Sequence, residues 1–176
     1  LASGPDTHQN PTRDVLFAAI NESKQRVFLT TPYFAPDLAI LTALRVAVYR
    51  GVDVRLMLPS RADVPLAVRA ARSFYPDLLE AGVRIFEYRP GFLHAKTGVF
   101  DDRLVLIGSA NLSTRSFRLN FELGCLLGGL PMNGRLAAVF ERDQEQCDEV
   151  SPKDLTGRGW VSSALNAAAH LLSPLL

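Results

Sequence analysis

Three short apolar runs at near-regular intervals constrain this chain more than any other feature. They are residues 26–31 (RVFLTT), 52–58 (VDVRLML) and 83–88 (VRIFEY). Each has the length and β-branched content of a strand, and helical apolar spacing separates each from the next. Between the first two, Asp37 stands where a helix cap is needed, and Leu38, Leu41, Leu44 and Val48 share one face before Gly51. Between the second and third, a helical segment from Asp63 to Ala81 is interrupted near Tyr75-Pro76 and closed by Gly82. A β-α-β-α-β succession with right-handed crossovers predicts parallel strands covered by helices. Further helices are expected from Thr12, as the cap, to about Lys24, and over residues 132–148. The expected fold is α/β, an α-β-α sandwich around a mixed, largely parallel sheet, with residues 1–176 as one domain.

Residues 92–111 (FLHAKTGVFDDRLVLIGSAN) break that rhythm. Residues 93–100 and 103–107 are apolar-rich runs meeting at Asp101-Asp102, the pattern of a β-hairpin, because Asp tolerates the left-handed backbone of tight turns. With those two as the turn pair, Phe100 faces Arg103 and His94 lies opposite Ser109. Alternation sets His94 and Lys96 on one face, which Asn111 continues if the chain stays extended. That set suits a phosphoryl group. Lys96 is a charged donor, and Ser109 and Asn111 are neutral donors for non-bridging oxygens. His94 is the member able to attack phosphorus or exchange a proton near neutral pH. No acidic residue shares the face within the hairpin, so neither a divalent metal nor another cofactor is expected. Asp101, at the far end, and Gly108 read as structural. A lone His-x-Lys is ordinarily a surface feature. The six fixed positions of His-x-Lys-x4-Asp-x6-Gly-Ser-x-Asn recur by chance on the order of once in 10^7 to 10^8 starts.

Other residues fall where parallel sheets place ligands, beyond the carboxyl ends of strands. Tyr33 and Phe34 follow the first strand, as loop packing or as a pocket wall; Pro59, Arg61 and Asp63 follow the second. Glu122, in a strand-like run with Cys125, is a carboxylate that needs a partner. One nitrogen of His94 would serve, fixing the tautomer and raising imidazole basicity; a salt bridge to Arg115 or Arg118 is the alternative. Arg115 either binds phosphate or braces the fold.

The pattern His94-x-Lys96-x4-Asp101 with Gly108-Ser109-x-Asn111 resembles the HKD signature of the phospholipase D superfamily. Thr31-Pro32-Tyr33-Phe34, Arg115-Ser116-Phe117, the opening Ser3-Gly4-Pro5-Asp6 and the closing LLSPLL are similar to segments of bacterial cardiolipin synthases. The resemblance implies a sandwich fold and metal-independent phosphodiester exchange through a phosphohistidine, with Glu122 as the partner of the histidine. It also implies an active site assembled from two such motifs, whereas this sequence holds one. The chain then resembles the carboxy-terminal half of a cardiolipin synthase-like phosphatidyltransferase. Its implied substrate is a phosphatidylglycerol-like phospholipid, its partner a second motif-bearing half, and its place the cytoplasmic face of the bacterial inner membrane. In two-motif members the first-half histidine is often the nucleophile, which implies an acid/base role for His94. The alternative is a homodimeric single-motif phosphodiesterase, a phospholipase or nuclease, with His94 from each chain.

Charge bears on that choice. A net charge of +1, with Lys at positions 24, 96 and 153 alone, gives no global drive toward nucleic acid, which is not an expected partner. Cys125 reads as a reduced core thiol, and no Cys/His spacing suggests zinc. No apolar run reaches the roughly 18 residues of a membrane span. The tail, residues 160–176, has helical spacing and a polar face of Ser162, Ser163, Asn166 and His170 without Lys or Arg. Docking against protein is the expectation there, with peripheral membrane contact through Leu171, Leu172, Leu175 and Leu176.

Overall fold

The computed structural model describes residues 1–6 and 10–156. The expected tail helix, His170 and His8 lie outside the described residues. In chain order the elements are β1 (Ala2–Ser3), α1 (Pro11–Glu22), β2 (Arg26–Thr30), β3 (Phe34–Ala35), α2 (Leu38–Tyr49), β4 (Asp53–Pro59), α3 (Pro65–Ser73), α4 (Tyr75–Ala81) and β5 (Arg84–Tyr88). There follow β6 (Thr97–Phe100), β7 (Leu104–Gly108), β8 (Leu112–Ser113), α5 (Thr114–Arg118), β9 (Glu122–Gly128), α6 (Leu130–Gln144), β10 (Cys147–Glu149) and α7 (Pro152–Thr156).

One sheet has the order β1-β9-β7-β6-β2-β4-β5-β10, and β3 and β8 form a separate parallel pair. Alternation along β2 sorts its side chains between two layers. Val27 and Leu29 join a core with Leu16 and Ile20 of α1, Leu44 of α2 and Leu78 of α4. Phe28 faces the other way, packing with Met57, Leu93 and Val99 against α6, where its ring stacks on Phe140 at 4.8 Å. The sandwich is the expected one, and the sheet is mixed, but it is not largely parallel. Only β2/β4 and β4/β5 pair in parallel; the other neighbours in the large sheet are antiparallel. Parallel pairing needs a crossover long enough for a helix, and only α2 and the α3–α4 pair join adjacent strands that way.

Local boundaries differ from expectation for identifiable reasons. Asn10, not Thr12, caps α1, accepting from the Arg13 N–H at 3.0 Å. Pro11 follows it because the first helical position needs no N–H, and Thr12 is buried with its hydroxyl 3.2 Å from that of Ser3. Asp37 caps α2 as expected, accepting from Ile40 at 3.0 Å. The helix after β4 breaks at Phe74, between Ser73 and Tyr75, since Pro76 has no N–H to bond back. The helix expected over 132–148 stops at Gln144, and Cys147–Glu149 pairs with β5 as an edge strand. Cys125 is not a core thiol: it is exposed, on the outer face of β9 with Phe121 and Leu123.

The hairpin turn is three residues long, 101–103, not two. Phe100 pairs with Leu104 and Thr97 with Ile107. This one-residue shift sets Lys96 beside Gly108, whose N–H bonds the Lys96 carbonyl at 3.1 Å. The reason is Asp101, which takes the left-handed backbone at φ 51°. Its carboxylate accepts from the backbone N–H groups of Lys24 (2.9 Å), Gln25 (2.8 Å) and Arg26 (2.9 Å). Burial pushes this carboxyl up, but the three N–H groups outweigh it and hold it below the ordinary aspartate range. A depressed folded-state value contributes stability above the unfolded value, and that stability is lost as pH falls through the folded one. Asp101→Asn should therefore cost about 2 kcal/mol near neutrality, with the gap to the parent closing in acid. Denaturant titrations of both proteins across pH check this, and a gap that is constant with pH would contradict it.

Candidate active site

Three neighbouring parallel strands, β2, β4 and β5, end at one edge of the sheet, and each continues into a loop that supplies a site residue. These are Tyr33, Asp63 and His94. Leu93 is buried in the α6-side core, which pins its segment and turns Phe92 and His94 outward. Their rings stack at 5.2 Å and 25°. The Lys96 ammonium donates to the His94 carbonyl at 2.8 Å and lies 3.1 Å from both ring nitrogens. An ammonium has donors only, so the ring nitrogen it bonds is acting as an acceptor. An imidazole and a cation thus share one spot.

Gly108 allows the next contact. A Cβ there would stand 2.7 Å from the Leu123 carbonyl oxygen and 3.0 Å from the Gly124 Cα, so β7 and β9 approach closely only because residue 108 has no side chain. The approach brings Ser109 to Glu122. The Ser109 hydroxyl donates to the Glu122 carboxylate and accepts from the Leu123 N–H at 3.0 Å. Asn120 donates to the other carboxylate oxygen at 3.2 Å. Glu122 is buried, at 8% exposure. Its hydrogen bonds go to Ser109 and Asn120 rather than to His94, correcting the expected contact, and its charge is felt by Lys96 instead.

Asn111 presents a buried Oδ1 with no hydrogen-bond partner among the described residues. Carboxamide oxygen and nitrogen exchange by a flip, so this position offers a substrate either an acceptor or a donor. Asn111, Tyr33, Arg115 and Asn120 line a cleft of about 220 Å³ floored by Val64 and Ala67. Phe34 is absent from that wall: it is 1% exposed, packs edge-on against Phe74 at 5.8 Å and pairs with Leu112. Its place in the core is what holds Tyr33 at the rim. Sequence reasoning passed over Phe92 and Asn120. The signal for Phe92 was the i, i+2 alternation with His94; for Asn120 only the packing of β9 against β7 reveals it.

Residues 16–144 match the family described as cardiolipin synthase, PLD-like domain. This constellation therefore sits in a chain that belongs to the phospholipase D-like domain family of the cardiolipin synthases. Across all 176 residues the chain is 39% identical to a cardiolipin synthase of Halalkalibacterium halodurans and 42% identical to cardiolipin synthase A of Pseudomonas putida. It spans 35% and 37% of those proteins, about a third of their length. Among solved structures, the fold is similar to Nuc, a phospholipase D family member of Salmonella typhimurium, with a TM-score of 0.72 and 20% identity. That match covers 85% of this chain and 97% of Nuc. It is also similar to phosphatidylserine synthase of Haemophilus influenzae, with a TM-score of 0.70 and 19% identity over 100% of this chain and 47% of that one.

Burial pushes the Lys96 ammonium below the ordinary lysine value of 10.5, and the Glu122 carboxylate pulls it part of the way back. Lys96 should accordingly lose its proton below the ordinary lysine value, and Glu122→Gln should move it lower still. With three lysines in the chain, NMR titration of lysine side chains resolves this directly. A Lys96 titration at 10.5, or one indifferent to Glu122→Gln, would contradict the electrostatic account.

Proposed function

We propose that this chain is one catalytic half of a phosphatidyltransferase that exchanges phosphodiesters of a phosphatidylglycerol-like lipid. The observation that carries the reading is the Lys96 ammonium on the exposed His94 ring, with the charge of Glu122 acting on that ammonium. The family and the names of its bacterial relatives supply the substrate class. In the first displacement an imidazole nitrogen attacks phosphorus, and the leaving alkoxide takes a proton from a second imidazolium. That leaves a phosphohistidine and a free alcohol. The acceptor alcohol then gives its proton back to the second imidazole, attacks phosphorus and releases the first histidine. Lys96 and Asn111 hold the non-bridging oxygens, where negative charge grows. Glu122, fixed by Ser109 and Asn120, keeps Lys96 charged and placed. As the family resemblance implies, His94 acts as the acid/base member when the first-half histidine is the nucleophile.

His94 is the one histidine among the described residues, so the reaction needs a second imidazole from another motif-bearing half. An apolar face beside the site supports such a partner: Leu119, Phe121 and Leu123 are 57%, 74% and 68% exposed. A face of that kind is a place to expect protein contact. The lipid substrate sets the work at a membrane surface, for which we propose the cytoplasmic face of the bacterial inner membrane. Among the described residues no helix is long and apolar enough to cross a membrane. A second copy of this chain is the other candidate for the missing half, making a single-motif phosphodiesterase; the near-complete coverage of Nuc favours keeping it in view.

The test is phosphatidylglycerol turnover in vesicles with EDTA present, over a dilution series of the chain, alone and with a separately expressed first-motif half. His94→Ala should lower turnover by about 10²–10⁴-fold in whichever assembly is active. Specific activity that rises with concentration of the chain alone means a homodimer; activity only on adding the other half means a two-part enzyme. Turnover indifferent to His94→Ala would sink the mechanism.

A further inference from the structure

Leu93 anchors its segment by packing; the residue before it does not. Leu93 is buried in the α6-side core, whereas Phe92 belongs to neither apolar core and is 52% exposed. A phenyl ring left half in solvent adds little to stability through burial. This one lies stacked on the His94 imidazole at 5.2 Å and 25°. His94 is a side chain in need of such support. Residues 89–96 form no helix or strand, and His94 itself is exposed. The outer torsion of a histidine is broad rather than confined to a staggered well. An exposed imidazole on such a segment therefore sweeps through many ring planes unless a neighbour holds it.

Orientation matters because the nitrogen lone pair that takes a proton or attacks phosphorus lies in the plane of the ring. Resting on the phosphatidyltransferase reading above, we infer that Phe92 is a positioning residue: its phenyl ring fixes the plane of the His94 imidazole and keeps the ring nitrogens at the Lys96 ammonium, 3.1 Å away. An aromatic ring suits that task where an aliphatic chain does not. A neutral imidazole stacks on a phenyl as one aromatic on another. An imidazolium is drawn to the negative face of the same phenyl as a cation. The contact therefore survives both protonation states through which an acid/base histidine passes. A stack of this kind favours the held orientation about two- to tenfold, and a misplaced reacting atom costs up to about 10²-fold in rate. Phe92 itself takes no part in proton or phosphoryl transfer.

The experiment has two readouts. The first is NMR of the histidine ring protons in this chain, which holds three histidines, with the His94 signals identified by their loss in His94→Ala. A stacked phenyl shields the protons over its face, so the His94 signals should move downfield in Phe92→Leu and stay near the parent positions in Phe92→Tyr. The second is phosphatidylglycerol turnover in the active assembly. Phe92→Leu should lower kcat about tenfold with KM within about twofold of the parent, and Phe92→Tyr should restore kcat to within about twofold. Phe92 lies at the surface, so both variants should keep the parent's unfolding midpoint. Ring signals that ignore Phe92→Leu, a kcat unmoved by it, a KM that rises at constant kcat (the mark of a lipid contact), or a Tyr variant as slow as the Leu one would each overturn the proposal. The ring signals are read without turnover, so the two readings fail separately. Shielding of His94 by Phe92 without His94-dependent turnover in any assembly counts against the transferase alone. Turnover through His94 that Phe92→Leu leaves intact counts against the positioning role alone.

Discussion

The carboxylate of Asp101 fixes the geometry on which the rest of the site depends. By accepting three successive backbone N–H groups at the entry to β2, it locks the hairpin turn against the neighbouring strand. The turn then determines the β6–β7 register, and the register decides which side chains stand beside one another at the far end. A two-residue turn would have set His94 against Ser109. The observed turn sets Lys96 against Gly108 and leaves Ser109 to bond Glu122. An aspartate at the far end of β6 thus governs the placement of the candidate site residues without touching them.

Electrostatics at the site are a balance of burial against one carboxylate. Lys96 is half-buried, which disfavours its charge, and Glu122 supplies the compensation. Glu122 itself is buried and is tolerable because Ser109 and Asn120 satisfy its oxygens. Gly108 makes the whole arrangement possible by letting β9 close on β7. Substitutions in this group should couple, since each member is the reason another can be charged or buried.

The sheet is finished on one side and unfinished on the other. α6 covers Phe28, Met57 and Val99, yet Phe121 and Leu123, at the start of β9, are exposed. The open face lies beside an active edge that holds one imidazole among the described residues. The two-imidazole mechanism we propose and this apolar surface point in the same direction.

Much of this was legible in the sequence, because it depends on local chemistry. The strand-helix alternation, the Asp37 cap, the break before Pro76 and the closeness of His94 and Lys96 follow from periodicity, backbone preferences and residue type. Long-range pairing is a different matter. The balance of parallel and antiparallel strands, the edge strand at Cys147, the exposure of Cys125 and the Glu122–Ser109 contact depend on which segments meet across the sheet. No local pattern encodes that. The hairpin register shows the boundary most clearly. Sequence marked Asp101 as a turn residue, but the length of the turn was set by backbone N–H groups some 75 positions earlier in the chain. Sequence by itself determined which chemical groups are available to the candidate site. Only the tertiary structure decided which of them touch, because contact depends on a register fixed by hydrogen bonds between distant strands.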